Sequence, residues 1–177
     1  MDSKGRPYSS CMPQATISPK AADPADAVDQ IQAALQVVAG SITRARVHER
    51  ILRSAGVRLD RAGSSLLYKL HLSGGPLRVT ELAELLSVDT PTVTRKIQQL
   101  EREGLVSRQA DPDDGRATRI QLTPAGRKTL ASVLKARREW LDRLVDQWGN
   151  EDLTTFAAML GQFAAALQQD EEDARDH

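Results

Sequence analysis

The 177-residue sequence has one cysteine, few aromatic residues and no excess charge of either sign. A single cysteine cannot form an internal disulfide. Aromatic residues make up only 3% of the chain, so aliphatic side chains must fill the core. Lysine and arginine total 24, as do aspartate and glutamate. This balance removes the simplest argument for nucleic-acid binding, which is a strongly basic chain. Any such function must depend on where the charges lie.

The sequence also lacks the signatures of membrane proteins, metal sites and common enzymes. No apolar run approaches the roughly 20 residues needed to cross a bilayer, and the N-terminus has no apolar secretory region. The three histidines and the cysteine show no metal-ligand spacing. No glycine-rich phosphate loop or nucleophile motif is present. We therefore expect a cytoplasmic protein without catalytic residues, cofactor, metal site or membrane partner.

The two ends differ in composition from the middle of the chain. Residues 1–24 contain four of the eight prolines and show no apolar periodicity, which predicts a flexible arm. Residues 168–177 carry five acidic residues against Arg175. We expect a disordered acidic tail over residues 170–177. The structured domain should then span about residues 25–169.

Apolar residues at three- and four-residue spacings predict long helices on both sides of a central region. Within about residues 25–55, the apolar stripe from Val28 to Leu52 predicts one long amphipathic helix of about seven turns, and Gly56 should end it. A second helix is predicted over Asp60–Ser73. Residues 124–169 should form two further helices, which Gly149-Asn150 separates.

The central region has the element order of a winged helix-turn-helix. Two short helices are predicted at about Thr80–Leu86 and Thr90–Glu103, with a tight turn between them. Two segments of strand propensity follow, Leu105–Ala110 and Ala117–Leu122, and a hairpin tip joins them. The fold class is therefore mainly α with a small β wing.

Residues Pro76–Gly126 resemble the multiple-antibiotic-resistance regulator (MarR) family of bacterial transcription factors. The Asp114-x-Arg116 pair, followed by Leu-Thr-x-x-Gly, is the most specific part of the resemblance. The resemblance implies a winged helix-turn-helix core at about residues 60–123, with dimerisation helices at about 25–55 and 124–169. The segments that carry it are Glu81-Leu82-Ala83-Glu84-Leu85-Leu86, Thr92-Val93-Thr94-Arg95, Leu100-Glu101-Arg102-Glu103-Gly104-Leu105-Val106, Asp111-Pro112-Asp113-Asp114-Gly115-Arg116 and Leu122-Thr123-Pro124-Ala125-Gly126.

Two positions depart from the pattern of the family. Arg78 stands where the family usually has a small N-cap residue, so we expect the first short helix to begin at Thr80. Gly115 occupies a wing-tip position that is often arginine, which removes one cation from the wing.

The second short helix carries the predicted base-reading surface. On a helical wheel, its apolar residues define one face and its polar residues the other. A helix of this kind fits the major groove, where Arg95 can bind guanine and Gln98 can bind adenine. Threonine hydroxyls can reach phosphates, and their methyl groups can contact thymine. The predicted DNA-contacting residues here are Asp89, Thr90, Pro91, Thr92, Thr94, Arg95, Gln98 and Arg102, of which Arg102 is assigned to a phosphate.

The hairpin supplies a second predicted contact with DNA. An A·T-rich minor groove is narrow, and its negative potential attracts an inserted arginine. The family resemblance implies that Arg116 enters this groove and that Asp114 orients it, with Arg119 nearby on the strand. The alternative is an internal Asp114–Arg116 turn pair that has no ligand.

These observations predict a sequence-specific regulator of transcription that binds double-stranded DNA as a homodimer, a repressor of a pseudo-palindromic operator. The resemblance also implies a small aromatic or anionic ligand, although no spacing selects its residues. Two alternatives remain open. One is a winged-helix protein–protein interaction module without an operator, which the near-neutral charge favours. The other is a peroxide-sensing regulator that acts through Cys11.

Overall fold

The computed structural model describes residues 24–42, 45–112, 114 and 117–174. Residues 1–23 of the predicted arm and residues 175–177 of the predicted tail lie outside this part. The chain divides into two compact units, one ending at residue 42 and the other beginning at residue 43.

The first unit contains helix α1, Pro24–Ile42. Proline suits the first helical position, where its missing N–H would have no intrahelical partner. Val28, Ile31 and Leu35 follow at three- and four-residue spacings and are 40% to 62% exposed. Helix α1 therefore presents an apolar stripe to its surroundings.

The second unit begins with helix α2, Ala45–Ser54. Gly56 follows it with a φ of +67°, a conformation that favours glycine. Helices α1 and α2 both fall within the single helix predicted over residues 25–55; residues 43–44 lie outside the described part, so the continuity of that helix stays a prediction. Apolar periodicity reports which face of each segment is apolar. It does not report whether the backbone hydrogen bonds continue from one segment to the next.

The winged helix-turn-helix core follows in the predicted order. Its elements are α3 (Arg61–Leu72), β1 (Leu77–Arg78), α4 (Val79–Leu86), α5 (Thr90–Arg102), β2 (Val106–Ala110) and β3 (Thr118–Leu122). The three strands form an antiparallel sheet in the order β1-β3-β2. The sequence pattern does not predict β1, because two residues are too few for a periodic signal.

Side-chain caps set where two helices begin. An Asp89 carboxylate oxygen accepts the Thr92 backbone N–H at 2.8 Å at the start of α5. The Thr123 hydroxyl accepts the Gly126 backbone N–H at 3.0 Å at the start of α6. Proline occupies the first turn of both helices. These caps confirm the predicted starts of both helices.

Helix α4 begins one residue earlier than predicted, at Val79 instead of Thr80. Arg78 occupies the N-cap position, although an arginine side chain has no acceptor for a backbone N–H. The Glu81 carboxylate accepts the Arg78 backbone N–H at 2.6 Å and so satisfies one donor at this end. At the other end of α4, Ser87 adopts a left-handed φ of 53° in the turn that leads to α5.

One hydrophobic core joins α3, α4, α5, the sheet and the start of α6. Helix α5 contributes Val93, Ile97 and Leu100, which are at most 1% exposed. A second cluster packs α2 against α6. Because the core holds the apolar face of α5, the polar face of this helix is turned to solvent.

Helix α6 spans Pro124–Leu144 and helix α7 spans Asn150–Asp173. The Trp148 and Phe156 rings meet edge to face, with centroids 5.1 Å apart. Residues 170–173 belong to α7, so the expected disorder of the tail was wrong for them. None of the α7 residues that the structure describes is buried. Its exposed apolar side chains, 37% to 64% accessible, are Phe156, Met159, Leu160, Phe163 and Leu167. No helix within the described ranges has both the length and the apolarity to span a membrane.

Candidate nucleic-acid interface

The exposed face of α5 carries one proline and three polar residues at four- and three-residue spacings. Pro91, Arg95, Gln98 and Arg102 all lie on this face and are exposed. Within the described part of the chain, the side chains of Arg95 and Gln98 form no hydrogen bond and no salt bridge. Arg102 donates from Nε to the Gln98 carbonyl oxygen at 3.2 Å. Arg95 and Gln98 can therefore bind a ligand without first breaking an internal hydrogen bond.

Two of the three threonines of α5, Thr92 and Thr94, already use their hydroxyl protons, and the predicted phosphate contact of Thr90 stays a prediction. Thr92 donates from Oγ1 to an Asp89 carboxylate oxygen at 2.8 Å, and Thr94 donates to the Thr90 carbonyl oxygen at 2.8 Å. Each hydroxyl has one proton, so none is left for a phosphate oxygen. The predicted role of Thr92 and Thr94 is thereby narrowed to apolar contact through their methyl groups.

Asp89 serves as the cap of α5. Both of its carboxylate oxygens accept hydrogen bonds from Thr92, one from the backbone N–H and one from the hydroxyl. These hydrogen bonds hold the pKa of Asp89 below its ordinary value. The charged carboxylate is suited to the positive end of the helix dipole. In this arrangement Asp89 orients the first turn of α5 and has no donor for a base or a phosphate.

The wing has a buried carboxylate at its base. The Asp111 side chain is 0% exposed and accepts two charged hydrogen bonds on one oxygen, from Arg78 Nε at 2.6 Å and from Arg119 Nε at 2.9 Å. The hydrogen bond to Asp111 raises the pKa of Arg78. The sequence pattern predicts a DNA contact for Arg119 and indicates no role for Arg78 or for the Asp111 carboxylate. No local spacing could have found this cluster, because Arg78 and Asp111 are 33 positions apart.

The tip of the wing is described only in part. Asp114 is exposed, and its carbonyl oxygen accepts the Ala117 backbone N–H at 2.9 Å. Arg116 lies outside the described residues, so its insertion into a minor groove and its orientation by Asp114 stay predictions.

Two other cations near α5 are held by carboxylates. Lys96 donates to Asp60 at 2.6 Å, and Arg108 donates from Nε to Glu101 at 3.1 Å. Burial alone would raise the pKa of Asp60, but hydrogen bonds from Lys96 and the Gly63 backbone outweigh it and lower the pKa. Lys96 thus ties α5 to the start of α3, whereas Arg95 forms no salt bridge within the described part of the chain and only lowers the pKa of nearby Asp89 through its charge.

A cavity of about 440 Å³ is large enough to hold a small ligand. It is lined by His48 together with Leu52, Arg53, Asp60 and Arg61. The Nε2 atom of His48 is buried and has no hydrogen-bond partner among the described residues. Burial lowers the pKa of His48, and nearby Arg137 and Arg61 lower it further.

The described residues contain no group of three or more histidine, cysteine, aspartate or glutamate side chains that could hold a metal ion. Cys11 lies outside the described residues. The peroxide-sensing alternative therefore stays a prediction.

Sequence comparison places the core in a known family. The MarR family model matches residues 63–118. The uncharacterized HTH-type transcriptional regulator YxaD of Bacillus subtilis is 32% identical over 102 residues, which are 58% of this chain and 71% of YxaD.

Solved structures share the fold. A MarR family protein from Bacillus stearothermophilus is similar with a TM-score of 0.72 and 22% identity, over 83% of this chain and 99% of that one. A mutant of MepR from S. aureus, bound to an oligodeoxyribonucleotide, is similar with a TM-score of 0.54 and 22% identity, over 77% of this chain and 97% of that one. Because the family model falls on the helix-turn-helix and wing, and YxaD matches over most of its own length, the chain belongs to the MarR family of winged helix-turn-helix transcriptional regulators.

Proposed function

We propose that this protein is a homodimer that binds double-stranded DNA sequence-specifically and represses transcription at a pseudo-palindromic operator. The observation that carries the proposal is the exposed face of α5, where Arg95 and Gln98 are accessible and the opposite face is fixed in the core. An arginine can donate two hydrogen bonds to guanine, and a glutamine can pair with adenine in the same way. The MepR mutant of similar fold is bound to DNA in its structure, which supports this use of the fold.

The exposed apolar residues of α1 and α7 support the homodimer. Monomeric proteins rarely leave large contiguous apolar patches exposed. Each helix carries such residues at helical spacing, including Ile31 and Leu35 on α1 and Leu160 and Phe163 on α7. A two-fold dimer would present two copies of α5 to two half-sites about one helical turn apart.

Control by a small ligand is the third part of the proposal. The cavity beside His48 is of a size suited to a small molecule, and it is lined by apolar side chains, by Arg53 and Arg61 and by the carboxylates of Glu49 and Asp60. An aromatic molecule would match the apolar side chains, and an anionic group on it would pair with an arginine at the side of the cavity away from the two carboxylates.

The experiment that tests the proposal is a mobility shift of the full chain on the DNA upstream of its own gene, at two salt concentrations. We expect one discrete complex, which weakens as salt rises because phosphate contacts release counterions. Size-exclusion chromatography with light scattering on the same sample should give the mass of two chains. No complex with any duplex, together with the mass of one chain, would instead favour the protein–protein interaction module.

A further inference from the structure

The Asp111 carboxylate joins three segments that are distant in sequence. Asp111 directly follows β2, Arg119 lies in β3, and Arg78 belongs to β1 and also occupies the N-cap position of α4. Arg78 and Arg119 are paired residues of the β1–β3 ladder, so their side chains leave neighbouring strands side by side. Both reach the same carboxylate oxygen. This cluster, Asp111 with Arg78 and Arg119, is called the wing-base cluster below.

The wing-base cluster strongly constrains the base of the hairpin. A fully buried carboxylate is costly unless charged donors satisfy it, and hydrogen bonds between two ionised groups are among the strongest in proteins. The Asp111 backbone N–H also donates to the Ala117 carbonyl oxygen at 3.1 Å. This hydrogen bond joins the end of β2 to the start of β3, the position called the neck of the hairpin. Rotation of the neck away from β1 would therefore separate the buried Asp111 carboxylate from Arg78, a charged donor that lies on β1, while Arg119 would move with the hairpin.

The cluster also connects the neck to the helix-turn-helix. The Arg78 side chain bonds to Asp111, while its backbone N–H bonds to Glu81 in the first turn of α4. Helix α4 packs on α5 in the common core through Leu82 and Ala83. The position of the hairpin is thus linked, through Arg78 and α4, to the position of the exposed face of α5.

We propose that Asp111 is a positioning residue, which fixes the wing relative to α5 so that both can contact one duplex at the same time. This inference rests on the proposed DNA binding. The change in DNA affinity that it predicts for loss of Asp111 is opposite in sign to the change expected from charge alone. A carboxylate near DNA repels phosphate, so its neutralisation alone would strengthen binding to every sequence. Displacement of the wing relative to α5 instead weakens binding only to those sequences that α5 and the wing must contact together.

The test uses the full chain and two duplexes of equal length, one selected by the wild-type protein from a random pool and one unselected. Asp111→Asn keeps the shape of the side chain and removes its charge. Arg78→Lys keeps the charge but loses the planar guanidinium that reaches Asp111. This second variant tests the wing-base cluster even if Asp111→Asn does not fold. The matched control is Asp142→Asn, which breaks the exposed Arg138–Asp142 pair on α6. Melting curves identify a temperature at which every compared variant is folded.

We expect both wing-base variants to bind the selected duplex roughly tenfold or more weakly, the scale of one lost specific contact. Their affinity for the unselected duplex should stay the same or rise, and Asp142→Asn should leave both affinities unchanged. Folded variants that keep wild-type affinity for the selected duplex would overturn the inference, and so would an equal loss on both duplexes. A wild-type chain that enriches no sequence would overturn the proposed function itself, and this inference with it.

Discussion

Replacement of Arg95 by alanine should separate DNA affinity from stability. Arg95 is exposed and forms no hydrogen bond or salt bridge within the described part of the chain. Surface substitutions of this kind usually change the free energy of unfolding by less than about 0.5 kcal/mol. Alanine also has the higher helix propensity. Urea unfolding of Arg95→Ala should therefore match that of the wild type.

The effect on binding should be much larger. A bidentate contact between arginine and guanine contributes about 1–3 kcal/mol of discrimination. Because a dimer carries the substitution in both reading helices, the loss should total about 2–6 kcal/mol, or at least about 30-fold in affinity. Fluorescence anisotropy titrations at fixed salt can measure a change of this size.

Two companion variants make the result specific. Arg95→Lys keeps the charge and loses the planar fork, so it should lose affinity for a selected duplex and keep affinity for an unselected one. Arg138→Ala removes an exposed arginine from α6, outside the proposed interface, and should bind both duplexes normally. If Arg95→Ala bound a selected duplex with wild-type affinity, the assignment of Arg95 to base contact would be refuted.

Three further predictions concern stability. Gly126→Ala should lower the melting temperature markedly, because the added Cβ would lie 2.0 Å from the Leu105 carbonyl oxygen. Gly161→Ala is the control: its added Cβ has no neighbouring atom within 4 Å, and it should raise the melting temperature slightly because alanine favours the helix. Ser87→Gly should stabilise the fold against urea by about 1 kcal/mol, because the φ of 53° suits glycine; an unchanged urea midpoint would argue against strain there. For His48, burial and two nearby arginines lower the folded-state pKa below 6.5, so the unfolded state takes up the proton first. Neutral His48 therefore contributes fully to the free energy of unfolding above pH 6.5, and this contribution is lost as the pH falls through the lower pKa of the folded state. The variant His48→Gln should flatten that part of a profile of melting temperature against pH.

Helix starts and buried faces could be predicted because their signals are local. Asp89 and Thr123 are capping residue types that precede a proline by two residues and by one, and both cap the expected helices. Val93, Ile97 and Leu100 have helical spacing, and all three are buried. Within one helix, spacing fixes which residues share a face. The exposure of Arg95 and Gln98 follows from the same spacing.

What the sequence could not predict depends on long-range contacts. The assignment of Arg119 to DNA rested on its place in a strand near the wing, and nothing local indicated that Asp111 would hold its side chain. The use of the threonine protons by Asp89 and by a backbone carbonyl is likewise a matter of rotamers, which residue type does not reveal.

The most direct test of the central claim, that the exposed face of α5 lies in the major groove, is dimethyl sulfate protection of a bound duplex. Guanine N7 lies in the major groove and is an acceptor for arginine. The account predicts protected guanines in two half-sites whose centres are about 10 base pairs apart, and loss of this protection with Arg95→Ala. A duplex that is fully bound while every guanine N7 stays reactive would contradict it.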